Sequence, residues 1–504
     1  MFDIKLNGTL NINFIKVIQM MIRLCSEILT NNSVVRFLFS FVLLLYGFEI
    51  YCKNISPLDR GFKEAKTGVE RYLILQKVHA EAFKKNVNVD YSQMPSIIDV
   101  EIPNDAVPII LTKINDFKGI TIRVKNNQKD LFLFARTEQL TPIDIPKHII
   151  DSGNFQTIDK LNKDKCILVI YDENVWTERS GYGYNVIRKD ILFVDKGESK
   201  NQVIKPYNNR NSSPICYYRI VNDECTIIKN LSIKRTLNSS HITYAVQLSN
   251  LNDILIDRLY IETPQNELHG DTAIGIYNCT NLKMENVLIN GTYSQKNKYG
   301  YGIHMDNVYS STFNNLNATG NWGIFGTYNI SEVILENCKI NRFDIHCYGK
   351  NVYCKNTLFS KLYNQFSSFY GTLTFDKCHF RNFIPVLLES SYNSYTEFSL
   401  HLKNCTWDVN SVQNYLVHAG YLGDISNKRI ELSQKFLPNI IIENLMINVP
   451  VDVEKVFIIH PITVSTKNEI RFSKIRINGL QFYCKEKKNG CVDLLTSSKY
   501  FKLK

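Results

Sequence analysis

Residues 335–340 read LENCKI, and the pattern returns as CKNTLF (354–359), FDKCHF (375–380) and LKNCTW (402–407). The shared form is apolar, any residue, Asn or another polar residue, small apolar or Cys, any residue, apolar. Upstream it occurs as IKNLSI (228–233), IDRLYI (256–261), MENVLI (284–289) and, with a weaker last position, FNNLNA (313–318). Downstream it continues as IENLMI (442–447) and FSKIRI (472–477). The fourth positions fall at 231, 259, 287, 316, 338, 357, 378, 405, 445 and 475. A short strand pattern recurring at such intervals, with no helix between copies, predicts a β-solenoid. One coil cannot bury its apolar face alone, and stacking coils makes a continuous core. Leucine-rich repeats share the period but need L-x-x-L-x-L, which is absent. The variable spacing predicts loops of different length leaving one region of the coil.

Asn recurs at the third position: Asn230, Asn286, Asn315, Asn337, Asn356, Asn404 and Asn444. Asn tolerates the left-handed backbone of a sharp bend between strands. Stacked in register, these residues predict a hydrogen-bonded ladder along the axis. Cys338, Cys378 and Cys405 share one register and are expected to stack in the core as small apolar residues. The thirteen cysteines show neither a disulfide framework nor paired C-x-x-C zinc ligands. Cys484 and Cys491 lie outside the pattern and could pair in an exported protein.

The 504 residues, 44% hydrophobic, suffice for a large core. The formal net charge of +11 favours an acidic partner. The charge is dispersed without a Lys/Arg block, which argues against a nucleic-acid arm. The run FLFSFVLLLYGF (Phe37–Phe48) is too short for a membrane span, which needs ~20 residues, and suits the core of a secretion signal. Residues 1–52 are therefore read as a signal or anchor segment, the only part expected to meet a membrane, and the protein as exported to the periplasm, cell surface or medium. Residues 53–97 form a helical cap: across 58–88, Val69, Tyr72, Leu73, Leu75, Val78, Ala82 and Phe83 make an apolar stripe. The β-helix spans 98–480, and 481–504 is a C-terminal tail. Residues 98–225 contain strands that fit either the first coils or a small separate cap.

The coil pattern, the Asn ladder and the cap helix resemble the right-handed parallel β-helix of the pectate-lyase-like superfamily. The expected fold class is all-β, a right-handed parallel β-helix of about ten or more coils with an N-terminal capping helix. The resemblance implies a secreted polysaccharide lyase or hydrolase, a phage tail spike or an adhesin. It carries no mechanism over, because the D-D and R-I-K motifs of the polygalacturonases do not accompany HGD (His269–Asp271). The W-x-D-H and R-x-P-x-x-R patterns of pectate lyases are also missing.

NRFDIHCYGK (341–350) alternates Arg342, Asp344, His346, Tyr348 and Lys350, which predicts five polar side chains on one outward strand face. Aligning the strand before each ladder Asn stacks Val246, Ile276, Ile303, Ile324, Ile345 and Phe366 inward. Outward, Gln247, Tyr277, His304, Phe325, His346 and Ser367 form one column. Ala245, Gly275, Gly302, Gly323, Asp344 and Gln365 form another, whose glycines are expected to floor a groove. Candidate catalytic residues are His346, His304, Asp344, Arg342, Lys350 and Tyr348. Tyr277, Trp322, Phe325, Gln365 and Arg381 are candidates for substrate binding.

Three functions fit this lining. The first is β-elimination on an anionic, uronic-acid polysaccharide. Arg342 or Lys350 neutralises the carboxylate, His346 or His304 is the base, and Tyr348 or Tyr277 is the acid. Ca²⁺ could replace the Arg, although Asp344, Asp271 and Asp306 are too scattered to define a site, and no cofactor is assigned. The second is a glycoside hydrolase pairing Asp344 with Asp271, Asp306 or Glu389. The third is a non-enzymatic glycan-binding module, spike or adhesin. On this reading His346→Ala and Arg342→Ala both abolish activity with the fold intact.

Overall fold

The computed structural model describes residues 54–503 apart from 126–128, 136–138, 180–183, 202–213, 223, 236–242, 264–271, 292–300, 321–322, 347, 362, 368, 382–383, 389–396, 411–413, 420–437, 454, 461–472, 485–491 and 496–500. The signal or anchor segment 1–52, His269, Asp271, Trp322, Glu389 and Cys491 thus lie outside the described residues, as do the side chains of Phe325 and Cys484.

The chain is a parallel β-helix. Solenoid strands pair in parallel with the equivalent strand one coil away: Thr226–Arg235 with Ile254–Glu262, Thr272–Glu285 with Ile303–Asn314, and Ile303–Asn314 with Ile324–Glu336. Pairing continues through Gly349–Lys355, Tyr370–Asp376, Glu397–Lys403, Asn439–Val449 and Ser473–Cys484. Inward residues build one apolar core that runs from Tyr72, Leu75, Val78 and Ala82 of an N-terminal helix to Ile475.

Corners fix the phase of the coils. Asn230, Arg258, Asn286, Asn315, Asn337, Asn356, Lys377, Asn404 and Asn444 form one column with φ between 48° and 58°, ending at Gly479 with φ 79°. All seven ladder asparagines read from the repeat are in it. Their amides link the coils. Asn286 Nδ2 donates to Asp257 Oδ1 (3.0 Å), Asn315 Nδ2 to Asn286 Oδ1 (2.9 Å) and Asn444 Nδ2 to Asn404 Oδ1 (3.1 Å). A second left-handed column, absent from the sequence reading, holds Asn250, Asn278, Asn307, Asn329 and Tyr348. Its asparagines also form a ladder, with Asn278 to Asn250 at 3.1 Å, Asn307 to Asn278 at 2.9 Å and Asn329 to Asn307 at 2.9 Å.

Cys338, Cys378 and Cys405 are buried and free in one column. The last copy of the repeat is not FSKIRI. Leu480 pairs with Leu445, so the corner motif is INGLQF (477–482), with glycine where Asn was sought.

At the N-terminal end, helix α1 (Gly68–Lys85) is shorter than the apolar stripe suggested. A capping box starts it, with Glu70 N donating to Thr67 Oγ1 and Thr67 N to Glu70 Oε2, both at 3.1 Å. Asn86, with φ 52°, ends it. Tyr72, Leu75, Val78, His79 and Ala82 face the core, whereas Leu73 and Phe83 are exposed. Among the described residues no helix is long and apolar enough to cross a membrane.

Strands within 98–225 divide between two structures. Ile97–Val100, Ile109–Ile110, Ile114–Val124 and Phe132–Ala135 open the solenoid. The chain then leaves it, and Thr141–Ile143, Lys165–Arg179, Tyr184–Asp195, Glu198–Ser199 and Pro214–Ile220 form a five-stranded antiparallel sheet. One face packs Cys166, Leu168, Ile170, Leu192 and Val194 on Ile145, Ile150 and Phe155. The other carries Ile167, Val169, Ile191 and Phe193 to Tyr309 of the solenoid, where Phe193 stacks at 5.1 Å. Both faces are covered, so the strands read as continuous apolar runs like solenoid core.

Asn286→Val is expected to lose about 2–4 kcal/mol, combining left-handed strain for a β-branched residue with two lost amide bonds. Asn286→Gly keeps the corner and loses about 1 kcal/mol. Urea unfolding measures both, and equal losses would show that corner strain does not set the register.

Candidate functional site

Outward side chains of the strands before the second ladder meet on one face between residues 244 and 367, and the structure revises their columns. Ile303 pairs with Ile274 rather than Ile276, so His304 lies beside Gly275 and Tyr277 lies beside Asp306. His304 continues through Phe325 to Asp344 and Gln365. A slip of two residues keeps every side chain on its face but changes its column. His304 therefore aligns with Asp344, and His346 lies two residues further along the strand.

Tyr244, Tyr277 and His304 form one half of the site. His304 Nδ1 is 3.1 Å from the Tyr277 hydroxyl and 3.4 Å from that of Tyr244, and the two hydroxyls bond to each other. Burial pushes the His304 imidazole down to about 4, and repulsion from His346 adds to the shift. Burial, then the neighbouring Tyr244, raises Tyr277 well above the ordinary tyrosine range. At neutral pH this half thus holds a neutral imidazole against protonated phenols. Asp306, beside Tyr277, is half-buried. Burial raises its carboxyl to about 6, opposed by the Lys189 charge.

Arg342, Asp344 and His346 form the other half. Asp344 is fully buried, and three donors converge on its Oδ2: Arg342 Nη2, the Tyr301 hydroxyl (2.9 Å) and His346 Nε2 (3.1 Å). Its Oδ1 has no hydrogen-bond partner among the described residues. Burial alone would raise the Asp344 carboxyl, but Arg342 and then His346 outweigh it and hold it below the usual range. An ionised carboxylate only accepts, so Asp344 fixes the proton of His346 on Nε2. The His346 side chain remains 19% exposed.

Several sequence expectations are corrected. Arg342 is 1% exposed, packed 4.4 Å from the Tyr363 ring centroid and bonded to Asp344 and Gln365 Oε1 (3.2 Å). It lies behind the outer face, as does Gln365, and both are buried. Gly323 makes room for Arg342, since a Cβ there would lie 2.6 Å from Arg342 Cγ. Gly275 lies under Tyr244 and Tyr277. Those two glycines accommodate neighbouring side chains and do not floor an open groove. Tyr348 is fully buried, with φ 62°, because it occupies a corner of the second ladder. Lys350 is buried against Asp190 of the inserted sheet and donates to Ile191 O at 3.2 Å. Arg381 belongs to a different ion pair, sharing Asp408 Oδ2 with His379. Tyr244 and Tyr301 were missed, although Tyr244 opens its strand and Tyr301 stands two residues before Ile303–Asn314. Lys189 and Asp190 carry no sequence signal because a separate sheet delivers them. Among the described residues no three His, Cys, Asp or Glu side chains converge as a metal site. Of the carboxylates considered for Ca²⁺, Asp344 is engaged by Arg342, Asp306 stands in another column, and Asp271 lies outside the described residues.

The fold and this cluster define a class: a parallel β-helix with paired, hydrogen-bonded imidazoles on one outer face. No family model matches the chain, and no curated protein matches its sequence. Two solved structures similar to it are phage tailspikes. The gp49 tailspike of Pseudomonas phage LKA1 has 12% identity and a TM-score of 0.44, over 85% of this chain and 81% of that one. The Gp54 tailspike of Acinetobacter baumannii bacteriophage AP22, solved with A. baumannii capsular saccharide, has 11% identity and a TM-score of 0.47, over 89% and 76%. The β-helix assignment here rests on the strand register itself.

Arg342→Ala leaves the Asp344 carboxylate buried without its cation and is expected to cost about 3–5 kcal/mol in urea unfolding. A fold-neutral Arg342→Ala would contradict the buried pair. His304 is depressed in the fold, so acidification protonates the unfolded chain first. Its stabilising contribution is complete above about pH 6.5 and is lost as pH falls toward about 4. His304→Gln should flatten the fall of the urea midpoint over that window by about one proton's slope. An unchanged slope would show that His304 titrates normally.

Proposed function

We propose that this protein is an exported, carbohydrate-active β-helix of the pectate-lyase-like kind that cleaves a uronic-acid polysaccharide by β-elimination. One observation carries this reading. Two imidazoles share an outer face, and each has one ring nitrogen engaged by a fixed partner, His346 by Asp344 and His304 by Tyr277 and Tyr244. Such an arrangement suits proton transfer at a chain lying along the face.

In this scheme His346, its proton fixed on Nε2, takes the C5 proton through Nδ1. The C5–H electrons form the C4=C5 double bond as the C4–O bond breaks. Tyr277 donates its hydroxyl proton to the departing oxygen; His346 then releases the C5 proton to solvent, and a solvent proton relayed through the neutral His304 imidazole restores the phenol. Asp344, Tyr301 and Arg342 are positioning residues for His346. The apolar run Phe37–Phe48 supports export, and the basic balance supports an anionic polymer.

Hydrolysis is the second reading. Its support is a pair of carboxyls pushed apart, with Asp306 raised to about 6 and Asp344 held low. It ranks second because Asp344 is sealed behind His346, out of reach of a sugar carbon.

The purified protein should be assayed on a panel of uronic-acid and neutral polysaccharides. Elimination gives an unsaturated product absorbing near ~235 nm, and His346→Ala and His304→Ala should each lower its rate by about 10²-fold or more. New reducing ends without that absorbance would replace elimination by hydrolysis. Tight binding without products would make the protein a glycan-binding module.

A further inference from the structure

We propose that Lys189, carried to the site by the inserted antiparallel sheet, binds the substrate's uronate carboxylate and so sets selectivity for acidic sugars. This rests on the β-elimination reading above and supplies what that reading lacks. Removing a proton next to a carboxylate needs a cation on that carboxylate. The two cations the strand 341–350 offered, Arg342 and Lys350, are both committed to buried carboxylates.

The geometry of the sheet leads to Lys189. Along Tyr184–Asp195, residues 189, 191 and 193 share the face turned to the solenoid, where Phe193 stacks on Tyr309. The Lys189 ammonium lies 5.1 Å from the ring centroid of Tyr171, its cross-strand partner. Asn307 Nδ2 donates to the Tyr171 hydroxyl at 3.3 Å, and Asn307 directly follows Asp306. Lys189 is near enough to Asp306 to favour its ionised form, and Asp306 pairs with Tyr277. The cation thus flanks the acid–imidazole half of the site.

Its backbone is held in place. The next residue, Asp190, is locked to Lys350, four residues beyond His346, and Asn201 Nδ2 reaches Ser331 Oγ at 3.4 Å. Cross-strand stacking on Tyr171 limits the rotamers of the lysine stem.

The test compares binding of oligouronides and their methyl esters by titration calorimetry, alongside initial elimination rates, for the wild type, Lys189→Met and Lys189→Arg. Removing a charged hydrogen bond predicts about 10- to 100-fold weaker binding of the free acid by Lys189→Met. The methyl ester, with no charge to meet, should change by less than about threefold, and Lys189→Arg should recover most of the acid affinity. Equal loss on acid and ester, or no loss on either, overturns the role of Lys189 while leaving the elimination reading standing. Wild-type binding that weakens selectively in Lys189→Met, but yields no unsaturated product, upholds Lys189 and removes the elimination step. Failure of the wild type to bind any oligouronide overturns both.

Discussion

Everything in this molecule depends on the left-handed corner. Inter-coil pairing holds the strands in register, and each coil turns where a residue takes a left-handed backbone. One residue per bend sits at positive φ, and its amide bonds to the equivalent residue of the next coil. Asn serves both needs, since its short side chain lowers the cost of that backbone and supplies a donor and an acceptor to neighbouring coils. Three such columns run along the described coils, and the strand leading into the one that holds Asn250, Asn278, Asn307 and Asn329 carries the candidate site.

Where Tyr348 takes a place held by Asn in the coils before it, the second ladder stops. Next to that break lie two buried ion pairs, Arg342 with Asp344 and Lys350 with Asp190. Pairs of this kind contribute little net stability, because desolvation offsets their attraction. They do specify geometry. Arg342 keeps Asp344 ionised so that it can orient His346. Lys350 fastens the inserted sheet to the solenoid at one coil. Both are Arg or Lys residues that alternation alone assigned to solvent.

Contrast between the two imidazoles follows from their partners. His304 is held by phenols in a desolvated corner and stays neutral, whereas His346 leans on a carboxylate and keeps some exposure. The same outer face therefore offers two proton-handling groups of different character.

The repeat was legible in the sequence because its physics is local. An apolar period of two, a small residue in the core and an Asn at the bend recur wherever a coil closes, so the seven ladder asparagines and the cysteine column could be read directly. The outward face of residues 342, 344 and 346 was equally legible, since parity survives any register slip of two. What the sequence could not decide was which outward residues become neighbours, because the slip between Ile276 and Ile274 leaves every local pattern intact. Burial of Arg342 and Lys350 also escaped it. Their partners, Asp344 behind a glycine and Asp190 in a sheet 160 residues away, come together only when the coils stack and the insertion docks. Local periodicity determined the fold and the face. Long-range contacts, which leave no periodic trace, decided which groups on that face are reachable and which are held out of solvent.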